Sequence, residues 1–275
     1  MTSDTHTLDW TVVAAGWDTH RQHVEDMKTE LNKRLLDELR LQPGERVLEL
    51  GAGTGIFARQ LAAAVGPSGQ VLATDAAAGM VELIRGTNAD LSNVDVAQID
   101  AAAIDQPDAG FDGIAFCMGL MFLTEPIAGL REMRRVLKPG GRIAVATWAG
   151  VQHNPWLTNV GMTGMLSGVL NGPLPTEPGG PLSLGDAESL AQLARDAGFT
   201  DVAVDAMPVT FEIEDAPAHL AHVTSLAPPL KLAYESATDE KRAAWLTALT
   251  QADEQFRVDD GLQIPGLALL LSARP

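Results

Sequence analysis

The stretch VLELGAGTGIFARQL, Val47 to Leu61, sets three glycines at alternate positions, Gly51, Gly53 and Gly55, between an apolar run and a helical pattern. Gly51 lets the chain turn sharply, and Gly53 lets backbone amides come close to a ligand. A helix start behind such a loop favours an anionic or strongly polar group. Asp75 closes the next apolar run, QVLATD, where a carboxylate can accept from both hydroxyls of a ribose. Glu49 precedes the loop; it suits a cofactor carrying an ammonium group and would not help a pyrophosphate. The dinucleotide fingerprint wants its third glycine one residue later, where Ile56 stands, and no Gly-Lys-Ser/Thr follows to make a phosphate-binding loop. The residues therefore favour a nucleoside cofactor with an ammonium group over a dinucleotide. His20, His23 and His153 are the candidate bases, each against a purely structural reading.

These residues need elements to hold them. From Asp18 to Arg40, apolar residues recur at helical spacing (Val24, Met27, Leu31, Leu35, Leu39), and Pro43 and Gly44 end the helix. RVLEL, QVLATD, VDVAQID, FDGIAFC and GRIAVATW then read as five strands. GIFARQLAAAV, AAGMVELIRG and PIAGLREMRRVL are the helices among them. That alternation predicts an α/β fold with a mainly parallel sheet covered on both faces. From Gly150 to Gly185 the chain turns rich in glycine and proline around WLTNVGMTGMLSGVL, which reads as a mobile helical cap over a cleft. DAESLAQLARDAG is a helix, FTDVAVDAM a strand, 215–256 helical with a break at APP, and GLALLLSAR a last strand.

The chain has 275 residues, 46% of them hydrophobic, enough for one large domain. A formal charge of −17 disfavours nucleic acid and anionic membrane surfaces. One cysteine, Cys117, makes neither an internal disulfide nor a cysteine zinc site, and no spacing suggests a metal. MTSDTHTLDW lacks the pattern of a signal peptide, and no run reaches the ~18 apolar residues of a membrane span, so a cytoplasmic protein is expected.

Five motifs in order carry a resemblance. VLELGAGTG, VLATDAAAGMV, VAQIDAAAI, FDGIAFCMGLMFLTEP and LREMRRVLKPGGRIAVATW resemble the motifs of class I S-adenosylmethionine-dependent methyltransferases. The last is similar to the branch that includes the ubiquinone/menaquinone C-methyltransferases. The resemblance covers about residues 8–150 and continues weakly beyond.

It implies a Rossmann-like seven-stranded, mostly parallel sheet of order 3-2-1-4-5-7-6, the last strand antiparallel, with helical cap insertions. It implies one methyltransferase domain over 1–275: an N-terminal helical segment (1–42), a cofactor-binding core (43–149) and cap segments at 150–185 and 207–257. The implied cofactor is S-adenosyl-L-methionine, leaving S-adenosyl-L-homocysteine as product. Gly51, Ala52, Gly53 and Gly55 would pass under its methionine portion, and Glu49 would serve the ammonium. Asp75 would hold the ribose, Ala76 and Met80 would flank the adenine, and Asp100, with Ala101 beside it, would read the amino group. Cys117 and Met118 would lie near the sulfonium. An aromatic of the N-terminal segment, Trp17 first and Trp10 second, would close over it. His20 and His153 are carried as candidate bases, and Phe122 and Trp156 as acceptor-side residues.

CMGLMF departs from the polar fourth-strand sequences of DNA amino-methyltransferases, and the segments expected to line the cleft are apolar. The expected acceptor is a small, partly hydrophobic metabolite: a quinone, polyketide or other specialised product. A homodimer is compatible with the sequence. Two alternatives stand: a protein of this fold that binds the cofactor for another reaction or a regulatory role, and a nicotinamide oxidoreductase, against which the early third glycine counts.

Overall fold

The computed structural model describes residues 9–172 and 174–275. The opening MTSDTHTL, read above for a leader and as the start of the 1–42 segment, lies outside the described residues, as does Pro173 in the cap segment.

Strand β1 (Arg46–Leu50) lies at the middle of the sheet, paired in parallel with β2 (Gln70–Asp75) on one side and β4 (Phe111–Cys117) on the other. β3 (Val94–Gln98) adds to β2, and β5 (Leu137–Trp148) adds to β4, all parallel. β8 (Gly261–Arg274) runs antiparallel between β5 and β6 (Thr200–Ile213), and the two-residue β7 (Arg257–Val258) folds back on β8 as a hairpin. The order is β3-β2-β1-β4-β5-β8-β6. With the short β7 set aside, it is the order the resemblance implies.

The near-continuous apolar strands follow from burial on both faces. Val47 and Ala115 point to the side of helices α2 (Arg21–Leu39) and α3 (Ile56–Val65), packing with Leu31, Leu35, Ala58 and Leu61. Their neighbours Leu48 and Ile114 point the other way, to α5 (Pro126–Val136) and α7 (Ala187–Asp196), against Leu130, Met133, Leu190 and Ala194. Helix α4 (Ala78–Asn88) follows β2.

Besides β5, which begins early at Leu137, two strands outrun their sequence reading, and both contain proline. β6 continues through Pro208 to Ile213, so residues 207–213 belong to the sheet and not to the cap. β8 begins at Gly261 and includes Pro265. A proline can sit in a strand only where its missing N–H faces no ladder. β6 pairs only with β8, and β5 meets β8 only from Ala268 onward, so each proline stands on an unpaired edge.

The cap is formed by α6 (Pro155–Leu166), α8 (Ala216–Leu226), α9 (Pro228–Ser236) and α10 (Asp239–Asp253). Its centre is Trp245, fully buried, whose indole N–H donates to the Val160 carbonyl at 3.0 Å. Gly164 admits that ring: a Cβ there would stand 2.8 Å from Trp245 Cζ2. α6, expected as part of a mobile cap, is closely packed in this structure. The helix is packed on a buried indole, and its GxxxG spacing serves that approach, with Gly168 closing the helix at φ +67°.

Candidate functional site

At the carboxyl edge of β1 the chain passes through Gly51, Gly53 and Gly55 at φ +59°, +56° and +78°. These left-handed values favour glycine. Gly55 also needs the space, because a Cβ there would meet the Ile84 Cα at 2.9 Å. Gly51 rests on the Phe116 ring, where a Cβ would come within 2.9 Å. Gly53 is different: an added Cβ would find no atom within 4 Å. The space above it is open.

Asp75, at the end of β2, ties the loop to the second strand. One carboxylate oxygen accepts from the Gly53 amide at 3.2 Å and the other from the Ala77 amide at 3.0 Å. Burial raises its pKa, and the amides of Ala77, Gly53 and Ala76 pull it back. Each oxygen keeps a lone pair for a further donor. Ala76 is exposed beside it, and Met80 is buried on α4. Asp100 is exposed in the turn after β3, one oxygen accepting from the Ala102 amide at 2.8 Å, with Ala101 buried next to it. Ala52 is buried, its amide donating to Thr74 O at 2.8 Å.

Glu49 is 2% exposed, and its Oε2 has no hydrogen-bond partner. Burial drives its pKa well above the usual carboxylate value; Lys28 opposes this, and Glu25 and Asp75 add to it. A buried oxygen without a partner is costly and calls for a donor. Cys117 and Met118 end β4. Burial pushes the Cys117 thiol up to about 12, which keeps it a neutral apolar wall. Met118 holds φ +59°, a strained conformation for a side chain with a Cβ, while its amide donates to Ala146 O at 2.9 Å.

The N-terminal segment bridges this edge. The turn Trp10–Val13 lies on α4, where the Gly79 amide donates to the Thr11 hydroxyl at 3.4 Å. Trp10 meets Phe122 edge to face with ring centroids 4.7 Å apart. Trp17, in α1 (Ala14–Thr19), donates its indole N–H to Leu226 O at 3.0 Å, fastening the segment to α8. Of the two tryptophans, Trp10 is the one against Phe122. Trp156 stacks on Phe211 at 4.3 Å and lies against Trp148, built into the joint between cap and sheet.

The structure brings His20 and His23 together with a third imidazole. Both pack edge to face on His222 of α8, at 5.0 and 4.7 Å. His222 is buried, and its Nε2 has no partner. Burial, then His23, His20 and His219, lower its pKa to about 3. His153 stands apart, exposed on the turn after β5. Among the described residues, no three His, Cys, Asp or Glu side chains are grouped to hold a metal ion.

Sequence reasoning missed Glu25, Lys28, Asn32, Thr54 and His222. Glu25, Lys28 and Asn32 interrupt the buried face of α2, and His219 and His222 stand three apart on an apolar helix. Polar residues on a buried face were the available signal. A hollow of about 480 Å³ lies between α2 and β6. The Arg34–Asp205 ion pair lies among its lining residues, and it offers no unpartnered buried group.

Residues 47–141 match a family described as a methyltransferase domain. The ubiquinone/menaquinone biosynthesis C-methyltransferase of Ectopseudomonas mendocina is 36% identical over 152 residues, 54% of this chain and 59% of that protein. The chain thus matches less than two thirds of that relative's length. A S-adenosylmethionine-dependent methyltransferase from Aquifex aeolicus shares the fold with a TM-score of 0.50 at 26% identity, over 65% of this chain and 83% of that one. Phosphoethanolamine N-methyltransferase 2 of Haemonchus contortus, solved with S-adenosyl-L-methionine, aligns with a TM-score of 0.59 at 16% identity, over 94% and 57%.

The matched family makes residues 47–141 a methyltransferase domain, the sheet order gives the chain the fold of S-adenosylmethionine-dependent methyltransferases, and S-adenosylmethionine is the cofactor that family and fold support. Over about half of its length the chain is similar to ubiquinone/menaquinone biosynthesis C-methyltransferases, at 36–39% identity.

Proposed function

We propose that the protein transfers the methyl group of S-adenosylmethionine to a small, partly hydrophobic acceptor of quinone-like or related phenolic character. The observation that carries this is the pairing of an unpartnered, buried Glu49 oxygen with open space over Gly53 at the edge where Asp75 ends β2. An ammonium would satisfy Glu49, the Gly51–Gly55 loop would lie under the methionine chain, and Asp75 would take the ribose hydroxyls. Ala76 and Met80 would flank the adenine, with Asp100 and Ala101 at its amino edge. The cofactor, when bound, supplies an electrophilic methyl on a sulfonium.

The chain's own part is to orient and to exclude water. Positioning a nucleophile in line with the S–CH₃ bond can contribute ~7–11 kcal/mol. The neutral Cys117 and the strained Met118 would form an apolar wall at the reacting edge, and Trp10 against Phe122 would shut out water. The imidazoles of His20 and His23, packed on a His222 whose pKa is held down at about 3, are the first place to look for a proton acceptor at the joint of N-terminal segment and cap. His153, exposed beyond β5, is the second. The relatives' name, a C-methyltransferase of ubiquinone and menaquinone biosynthesis, supports the acceptor class.

Calorimetry with S-adenosylhomocysteine, S-adenosylmethionine and NADH tests the cofactor site. Labelled methyl donor with a panel of prenylated and unprenylated phenols tests the acceptor. Tight S-adenosylhomocysteine binding and label in a phenolic product are expected. Label appearing only in polar amine acceptors would overturn the acceptor class.

A further inference from the structure

We propose that Glu25 of α2 is a positioning residue for the cofactor loop, acting on it through Thr54. The inference rests on the reading that Gly51–Gly55 holds the cofactor. Glu25 is a carboxylate 8% exposed, on a helix whose attachment to the sheet is supplied by Leu31, Leu35 and Leu39. A buried carboxylate adds nothing to that attachment and must be paired to persist. Its oxygens take three donors: the Thr54 hydroxyl at 3.1 Å, Lys28 Nζ at 2.9 Å and Asn32 Nδ2 at 3.3 Å. Thr54 lies between Gly53 and Gly55, where the backbone has its greatest freedom.

That residue is gripped from its other side too. The Thr54 carbonyl accepts from the Thr87 hydroxyl at 2.7 Å, and Thr87 in turn accepts from Arg21 Nη1 at 2.7 Å. The first two turns of α2 therefore hold the centre of the loop directly, through Glu25, and by way of Thr87, through Arg21. A loop held this way presents its amides before the cofactor arrives, so binding does not have to order it. The side chain at position 54 matters for its hydroxyl: serine keeps the contact and valine, of like shape, removes it.

The test is S-adenosylhomocysteine affinity by calorimetry, with a thermal melt to confirm folding, on Glu25→Ala, Glu25→Gln, Thr54→Val, Thr54→Ser, the Glu25→Ala/Thr54→Val double variant and Asp75→Ala. Glu25→Ala and Thr54→Val should each weaken binding about tenfold. The double variant should be no weaker than the worse single, since both remove one contact. Glu25→Gln and Thr54→Ser, which keep an acceptor and a hydroxyl, should stay within about threefold. Amide exchange over residues 53–56 should quicken in the ligand-free Glu25→Ala and Thr54→Val proteins. If Glu25→Ala does not fold, Thr54→Val and Glu25→Gln carry the same comparison. Wild-type affinity in folded Glu25→Ala or Thr54→Val, or additive losses in the double variant, would overturn the proposal while a weakened Asp75→Ala left the loop reading standing. Unchanged affinity in Asp75→Ala and Thr54→Val together would overturn the loop reading itself, and this inference with it.

Discussion

The cap joint and the cofactor edge both bury polar side chains, and they treat them in opposite ways. In the cap the groups around His219, Asp253 and Trp245 are matched. His219 and Asp253 are 0% and 1% exposed, with Nδ1 and Oδ2 2.7 Å apart. The other imidazole nitrogen meets Trp156 O at 2.6 Å, Asn159 donates to the second Asp253 oxygen at 3.0 Å, and Trp245 finds Val160 O. At the carboxyl edge of β1, by contrast, Glu49 Oε2 is left over, Asp75 accepts from the Gly53 and Ala77 amides with a lone pair to spare on each oxygen, and four residues, Gly51, Gly53, Gly55 and Met118, hold left-handed backbone. Satisfied networks hold elements together; unsatisfied ones next to open space await a ligand. The His20–His23–His222 contact lies between the two regions and shares both characters, closely packed yet with one nitrogen unmatched.

That contrast can be broken at either end. The largest effect is expected in the cap. Asp253→Ala strands His219 and Asn159, and loss of one partner of a buried pair costs ~3–5 kcal/mol. Urea unfolding should show that loss, with S-adenosylhomocysteine affinity of the folded fraction unchanged; a variant as stable as its parent would mean the cap does not depend on the clip. Next comes Asp75→Ala, expected to weaken S-adenosylhomocysteine binding by ~1.5–3 kcal/mol for each charged hydrogen bond lost. Calorimetry decides it, and unaltered affinity would remove Asp75 from the ribose site.

The histidine contact should make stability fall with acid. His222 has a folded pKa of about 3, below its unfolded value of ~6.5, so its neutral form is favoured in the fold. The stability it contributes is whole above about pH 6.5 and drains at up to ~1.4 kcal/mol per pH unit as pH falls toward 3. His23, lowered by burial and by His20 and raised by Asp26 and Glu212, acts in the same direction. Denaturation midpoints at pH 7.5 and 5.5 should diverge in the parent and converge in His222→Leu; equal slopes in both would exclude this contact as the source.

The smallest effect has the opposite sign. Glu49 is raised, so the folded state holds its proton more tightly than the unfolded state does. Its penalty sets in as pH rises above the unfolded carboxyl value of ~4.3 and grows until the folded pKa is passed. Glu49→Gln should therefore melt higher than the parent without ligand, increasingly so from pH 5 to pH 8, and bind S-adenosylhomocysteine more weakly. A variant that melted lower and bound normally would make Glu49 a structural residue.

Periodicity and local chemistry made much of the molecule legible. β1 to β4 and helices α3, α4 and α7 lie close to where apolar runs, Gly55 and the Asp186 cap put them, because each is decided by neighbours in the chain. The reading stopped short at Pro208 and Pro265, where a proline in a strand depends on which edge lacks a partner, and that is a property of the assembled sheet. It gave α6 a mobile role because GxxxG and flanking glycines look loose in one dimension. The indole that fills the gap comes from Trp245, eighty-one residues beyond Gly164.

By itself, then, the sequence determined the class of fold and where the residues proposed for the donor side stand in it: Glu49, the Gly51–Gly55 loop, Asp75 and Asp100 are spaced by one strand–loop–helix repeat after another, and local rules suffice to place them. Tertiary structure alone decided what meets across the cleft. Glu25 reaches Thr54, Trp10 reaches Phe122, and His20 and His23 reach His222 over separations of 29 to over 200 residues. No periodicity encodes such meetings, because they depend on how α2 and α8 dock on a completed sheet, and docking is settled by the sum of many packing contacts that no single segment carries.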